Sequence, residues 1–198
     1  MSMSSFYGLE LQTAPGLVMT PRPTTEGLVD AAVVRVRDRP AARIADVGTG
    51  SGAIAIALAR SLPRAEIWAS DVSPAAVALA RANAARHGFA RRIHMTQGDL
   101  LDPIPGRLCL IVANLPYLPD ELRDSPEYAE YAAEPPGAIF APDGGLALYR
   151  RLLEAAEARL DTEGALIIQF RSRILEAERQ ELPALREHLE RAALAPAA

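Results

Sequence analysis

The chain has 198 residues, 49% of them apolar and 23% charged, with 25 acidic side chains against 21 basic and a net charge of −4. That is room for one domain with a sizeable core, and the acid surplus disfavours all-round non-specific nucleic-acid binding. No uncharged apolar run approaches the ~18–20 residues of a membrane span, and "MSMSSFYG" at the start has neither the basic nor the apolar region of a signal peptide, so no membrane contact and a cytoplasmic location are expected.

In chain order, short apolar runs alternate with helical patterns. "RIADV" (43–47) reads as a buried strand and "AIAIALARSL" (53–62) as the helix after it. "EIWAS" (66–70) is a second strand. "SPAAVALARANAARHG" (73–88) carries a full helix signature, with Ser73 as N-cap, Pro74 at the first helical position and Gly88 as the stop. "RIHMT" (92–96) and "LCLIVA" (108–113) are the third and fourth strands, and "GALIIQF" (164–170) is the fifth, after a helical stretch over 145–160. Strands separated by helices imply crossover connections, hence an α/β fold with a mostly parallel sheet covered on both faces. The Pro- and acid-rich segment 119–145 reads as a functional loop, because strong elements flank it. "RILEAERQELPALREHLERA" (173–192) reads as helix interrupted at Pro183, followed by a frayed Ala-rich tail.

In an open parallel sheet, ligands bind beyond the carboxyl ends of the strands. The first strand is followed by "DVGTGSG", with Asp46, Gly48, Thr49, Gly50 and Gly52, where glycines let the backbone approach a ligand and turn into a helix. Asp71, about 20 residues on, stands where an acid can grip ribose hydroxyls. The third strand leads to Gly98, Asp99 and Leu100, and the fourth to "NLPY", Asn114 to Tyr117. Taken singly, each station has a structural explanation: packing, a helix start, a turn, a strand terminator. Their conjunction on one sheet edge points to a ligand site. Gly48, Gly50 and Ala53 also satisfy G-x-G-x-x-A, the dinucleotide pattern, but Asp46 would face a pyrophosphate unhelpfully and suits an ammonium ligand better. Nor does a nicotinamide site explain NLPY.

These residues resemble the class I S-adenosylmethionine-dependent methyltransferases that modify planar NH2 groups. With "VMTPRPTTEGLVD" before the first strand and "NLPYLP…EP…GGLALYRRLLEAA" after the fourth, they resemble more closely the release-factor glutamine-N5 methyltransferase (HemK/PrmC-like) family. The resemblance covers residues 17–169. It implies a Rossmann-like fold and S-adenosyl-L-methionine as cofactor. It implies that Gly48, Thr49, Gly50 and Gly52 cradle the methionine and ribose, and that Asp46 approaches the amino group. By the same resemblance Asp71, followed by Val72, holds the ribose, Asp99 and Leu100 frame the adenine, and Arg22, Pro23 and Thr25 close the site. Asn114 and the Leu115 carbonyl would accept the hydrogens of the acceptor nitrogen, with Pro116 shaping the turn and Tyr117 packing on the flat substrate group. A single domain over 1–198 is expected: 1–40 capping the site, 41–170 the cofactor-binding core, and 171–198 a C-terminal helix and tail.

The chain departs from the family pattern in three respects. Leu115 replaces the first Pro of the usual Asn-Pro-Pro-Tyr. About twenty residues precede the PRPTTE segment, so the family's extra N-terminal helical domain is not expected. Gln169 stands where a Glu is usual, and no closing strands are expected after it. By the resemblance a release factor or another protein is the expected partner, with nucleic acid less favoured by the acid surplus and the PRPTTE segment. An adenine-N6 methyltransferase and a catalytically idle cofactor-binding subunit both stay open, as does the oligomeric state. The three histidines, His87, His94 and His188, are not spaced as a metal site, and none is predicted. Cys109, the one cysteine, reads as a small buried hydrophobe, Trp68 as core beside an adenine pocket at most, and the arginines of "VVRVRDRPAAR" as a solvated face.

Overall fold

A computed structural model of the chain describes residues 2–39, 41–170 and, for the backbone, 195–196. The first element is a hairpin of β1 (Ser2–Phe6) and β2 (Leu9–Thr13), antiparallel, which the sequence reading had left unassigned. Its two-residue turn places both Tyr7 and Gly8 at positive φ, the geometry that matches the twist of paired strands. Phe6, Leu9 and Leu11 bury one face. α1 (Glu26–Val36) follows.

The main sheet contains β3 (Arg43–Val47), β4 (Glu66–Asp71), β5 (Ile93–Gln97), β6 (Leu108–Ala113) and β9 (Leu160–Phe170), in the order β9-β6-β3-β4-β5. Every pairing among them is parallel, as the alternation of apolar runs and helices predicts. Between them lie α2 (Ala53–Ser61), α3 (Pro74–Arg86) and α4 (Ala147–Arg159), and a short pairing of β7 (Leu118–Pro119) with β8 (Phe140–Ala141). A two-residue strand, β10 (Ala195–Pro196), runs parallel beside β9. The expected C-terminal helix and the expected loss of closing strands fall mainly on 171–194, outside the described residues.

Successive strand residues point to opposite faces, so each strand feeds two cores. Ile44, Ile67, Leu110, Val112 and Ile167 pack on the side of α1, α2 and α3. Ala45, Val47, Ile111, Leu166 and Ile168 pack on the side of α4, with Tyr149 and Leu152. α2 is buried from Ala53 through Ala59, which accounts for its apolar sequence on every side.

Asn83 binds the hairpin to this core. Fully buried in α3, it accepts from Gln12 N at 2.8 Å and donates to Gln12 O at 3.0 Å and Ser51 O at 2.9 Å. Several arginines of the α1 end and the loop after it are more engaged than a solvated face. Arg39 pairs with Asp161 and Glu163, Arg35 donates to Glu163 O, and Arg43 pairs with Glu66. Trp68 stacks on His94 at 4.4 Å between ring centres and packs on the α4-side core, outside the residues that line the cavity described next.

Candidate active site

The carboxyl ends of β3, β4 and β6 and the loop after β5 open on one cavity of about 360 Å³, roofed by residues 17–22. From the predicted set, Gly48, Thr49, Gly50, Asp71, Val72 and Asp99 line it. So do Leu100, Asn114, Leu115, Pro116, Arg22 and Thr25. Four others do not, among them Asp46, which is fully buried under the glycine turn. Gly52, at φ +82, faces α3, where a Cβ would lie 3.1 Å from Ala80 Cβ, so its smallness serves helix packing. Pro23 starts the short turn before α1. Tyr117 lies behind the main cavity, in a small hollow shared with Met19, Tyr131 and Ile139.

Asp46 lies beneath the glycine turn. Its Oδ2 accepts from Thr49 Oγ1 at 2.6 Å and from Ala55 N at 3.1 Å, so it satisfies one of the free amides at the start of α2. Its Oδ1 is buried with no partner among the described residues. Burial pushes the carboxyl up to about 7, and the nearby Asp71 adds to the rise. Asp71 in turn accepts from Gly50 N at 2.9 Å and from Ser73 N at 2.9 Å, which fixes the first turn against the second strand end. Two amides that a pyrophosphate would use are thus already taken by carboxylates, which weighs against the dinucleotide reading.

The other walls are held as firmly. Asp99 pairs with Arg151, and Leu100, at φ +43, accepts from Ser70 Oγ at 2.6 Å. Arg22 stacks on Tyr131 at 4.3 Å and pairs with Glu130 at 3.2 Å, while Thr20 N donates to Glu134 at 3.0 Å. These contacts fasten the stretch before α1 to the acidic segment after β7, and so form the rim.

At the end of β6, Asn114 Nδ2 donates to Thr25 Oγ1 at 3.2 Å, leaving Oδ1 as the acceptor of that side chain. Leu115 packs on the glycine turn: a Cβ at Gly48, φ +73, would lie 2.6 Å from Leu115 Cδ2. Behind both lies Tyr149, buried in α4, with its hydroxyl 3.0 Å from Leu115 N. Sequence reasoning missed Tyr149. Its signal was a hydroxyl-bearing aromatic on the apolar face of a helix, which also reads as ordinary core.

These residues fit S-adenosylmethionine. Asp71 and Asp99 on the cavity wall offer acceptors to hydroxyl and amine groups, the backbone at Gly50 leaves room for a close approach, and beneath the turn Asp46 Oδ1, buried without a partner among the described residues, is an acceptor suited to an ammonium. Among the described residues there is no cluster of His, Cys, Asp and Glu that could hold a metal, and no helix long and apolar enough to cross a membrane.

Known proteins point the same way. The release factor glutamine methyltransferase of Moorella thermoacetica is 41% identical over 169 residues, covering 84% of this chain and 59% of that protein. The protein of the same name from Escherichia coli is 38% identical over 176 residues, covering 88% of this chain and 62% of that one. The chain thus spans less than two thirds of the length of either. Among solved structures, ribosomal protein L11 methylase from Lactobacillus delbrueckii subsp. bulgaricus superposes with a TM-score of 0.59 at 27% identity, covering 85% of this chain and 70% of that one. The family model "Methyltransferase small domain" matches residues 28–130, which carry the glycine turn, both acid stations and NLPY. A Rossmann-like sheet with these stations at its strand ends, and with that match across them, belongs to the methyltransferase small domain family.

Proposed function

We propose that this chain moves a methyl group from S-adenosylmethionine to a planar NH2 nitrogen, a glutamine side-chain amide of a peptide-chain release factor. The observation that carries this reading is the orientation of Asn114. With Nδ2 donating to Thr25, the side chain has Oδ1 left to accept, and Asn114 and Leu115 both line the cavity. An amide nitrogen is a poor nucleophile, because its lone pair is delocalised. Two acceptors for its hydrogens favour the positive charge and the tetrahedral shape that develop as the nitrogen is alkylated. When bound, the cofactor supplies an electrophilic methyl on a sulfonium centre. The chain's own work is positioning, acceptance of the two N–H bonds, and exclusion of water by the rim. Atom balance is simple: one S–C bond breaks, one N–C bond forms, and one proton leaves the nitrogen for solvent. No side chain has to act as a strong base.

The acceptor class is supported by the names of the two relatives and by the rim. Residues 119–134 carry Asp120, Glu121, Asp124, Glu127, Glu130 and Glu134 against one base, Arg123, which is unfavourable to a phosphate backbone.

The test is methyl transfer from labelled S-adenosylmethionine by the purified chain to a purified release factor. Label on a glutamine amide is expected, and Asn114→Ala is expected to lower transfer by ~100-fold or more, as loss of one oxyanion-hole-type donor or acceptor does, with cofactor affinity nearly unchanged. Transfer that persists in Asn114→Ala overturns the role of Asn114. Cofactor binding without transfer to release factor overturns the acceptor, and an adenine-containing RNA is then the next substrate. Cofactor binding without transfer to either favours an idle cofactor-binding subunit, and absence of cofactor binding overturns the methyltransferase reading of this chain by itself.

A further inference from the structure

Leu115 raises a problem that a proline would not. It has a backbone N–H, and that N–H is buried at the end of β6, with Leu115 itself 5% exposed. An unpartnered buried amide is costly. Here the partner is Tyr149, whose hydroxyl oxygen accepts from Leu115 N at 3.0 Å. The same hydroxyl has one proton and two carbonyls in reach, Gln169 O at 2.8 Å and Leu115 O at 3.0 Å. Given to Gln169 O, the shorter of the two, the proton ties β9 to the NLPY turn and leaves both lone pairs of the Leu115 carbonyl available.

We infer that Tyr149 is the positioning residue of the NLPY turn, its hydroxyl holding Leu115 N–H where a proline ring would otherwise fix the backbone, and so aiming the Leu115 carbonyl at the acceptor nitrogen. This rests on the reading of that carbonyl as an acceptor given above. Three further observations support it. Tyr149 is 1% exposed and its ring packs edge-on against Phe170, 5.2 Å between centres, so the hydroxyl cannot swing away. Burial drives its ionisation far above the ordinary tyrosine value, so it stays a hydroxyl able both to accept and to donate. The turn before α4 grips the other end of the motif: Gly145, φ +89, lies so close to Tyr117 that a Cβ would meet the Tyr117 carbonyl at 2.1 Å. The NLPY backbone is thus clamped at Leu115 and at Tyr117 by the start of one helix.

The experiment compares four proteins: wild type, Tyr149→Phe, Leu115→Pro and the double variant. Tyr149→Phe is expected to lower kcat about tenfold, with the dissociation constant of S-adenosylmethionine unchanged. In the Leu115→Pro background there is no N–H to hold, so the same substitution is expected to cost only a fraction of that. A core control, Ile67→Ala in β4, is expected to lower Tm with kcat kept. An equal loss of kcat from Tyr149→Phe in both backgrounds overturns the proposal, as does a kcat loss matched by the equally destabilised Ile67→Ala. Amide hydrogen exchange at Leu115 gives a second readout, needed if Leu115→Pro does not fold or no acceptor is methylated. Faster exchange at Leu115 in Tyr149→Phe, relative to Ile67→Ala, supports the tether whatever the substrate. Unchanged exchange sinks it while leaving the methyltransferase reading intact.

Discussion

Asn114 and Thr25 are 89 residues apart in the chain and joined by a hydrogen bond of 3.2 Å, donated by the amide Nδ2 to the threonine hydroxyl. One bond therefore couples the strand end that presents NLPY to the turn that opens α1, and in this arrangement Oδ1 is the end of the Asn114 amide left to accept.

Thr25→Val removes that acceptor and keeps the shape. The amide can then turn over, and kcat is expected to fall about tenfold, the worth of one neutral hydrogen bond, while Thr25→Ser keeps most of it. Steady-state kinetics on both variants checks this, together with cofactor titration, which is expected to be flat across the series.

Gly48→Ala acts on the cofactor side. The new methyl at φ +73 would strain the backbone by ~1–2 kcal/mol and drive Leu115 Cδ2 outward from a 2.6 Å contact. Urea titration is expected to show a loss of that size. Calorimetry is expected to show weaker binding of S-adenosylmethionine, because the turn and NLPY move together.

Asp46 predicts an inverted pH dependence. Its folded value, about 7, lies above the ordinary carboxylate value, so between about pH 4 and pH 7 the folded protein holds a proton that the unfolded chain has lost. Stability from this group is complete below pH 4 and is lost as pH rises to about 7, on the order of 4 kcal/mol in all. Urea midpoints at pH 5 and pH 8 measure it, and Asp46→Asn is expected to flatten the difference. An ammonium ligand beside Oδ1 reverses the effect, so S-adenosylmethionine is expected to release a proton when it binds near pH 6. Calorimetry in two buffers of different ionisation enthalpy detects that proton.

Asn83→Leu tests the hairpin. It leaves Gln12 N, Gln12 O and Ser51 O without their buried partner. A loss of ~2–4 kcal/mol is expected for these groups together, with hydrogen exchange rising first in residues 9–13.

The sheet was legible because a buried parallel strand leaves a short apolar run, unbroken in "LCLIVA" and interrupted only by Asp46 after Arg43 in "RIADV". The stations of the site were legible for a related reason. Glycine at positive φ and an acid after a strand are local demands, met by the residue at that position. The hairpin was missed because its turn, Tyr7-Gly8, carries no Asn-Gly or Asp-Gly signal and its strands are only five residues each. Gly52 was placed in the cradle because the glycine spacing does not say which of three glycines faces a ligand and which faces a helix. That depends on α3, whose Ala80 comes 28 residues later in the chain.

By itself, then, the sequence determined the parallel α/β sheet, the sheet edge at which the candidate residues gather, and the residue types available there, since each follows from a run, a spacing or a turn preference within a few residues. The tertiary structure decided what those residues can do. It raised the pKa of Asp46 through burial, gave Asn114 Nδ2 a partner in Thr25, and gave Leu115 N a partner in a tyrosine 34 positions away. Such partners meet only when distant elements pack, and a hydrogen bond or a desolvated carboxylate takes its energy from what it meets there.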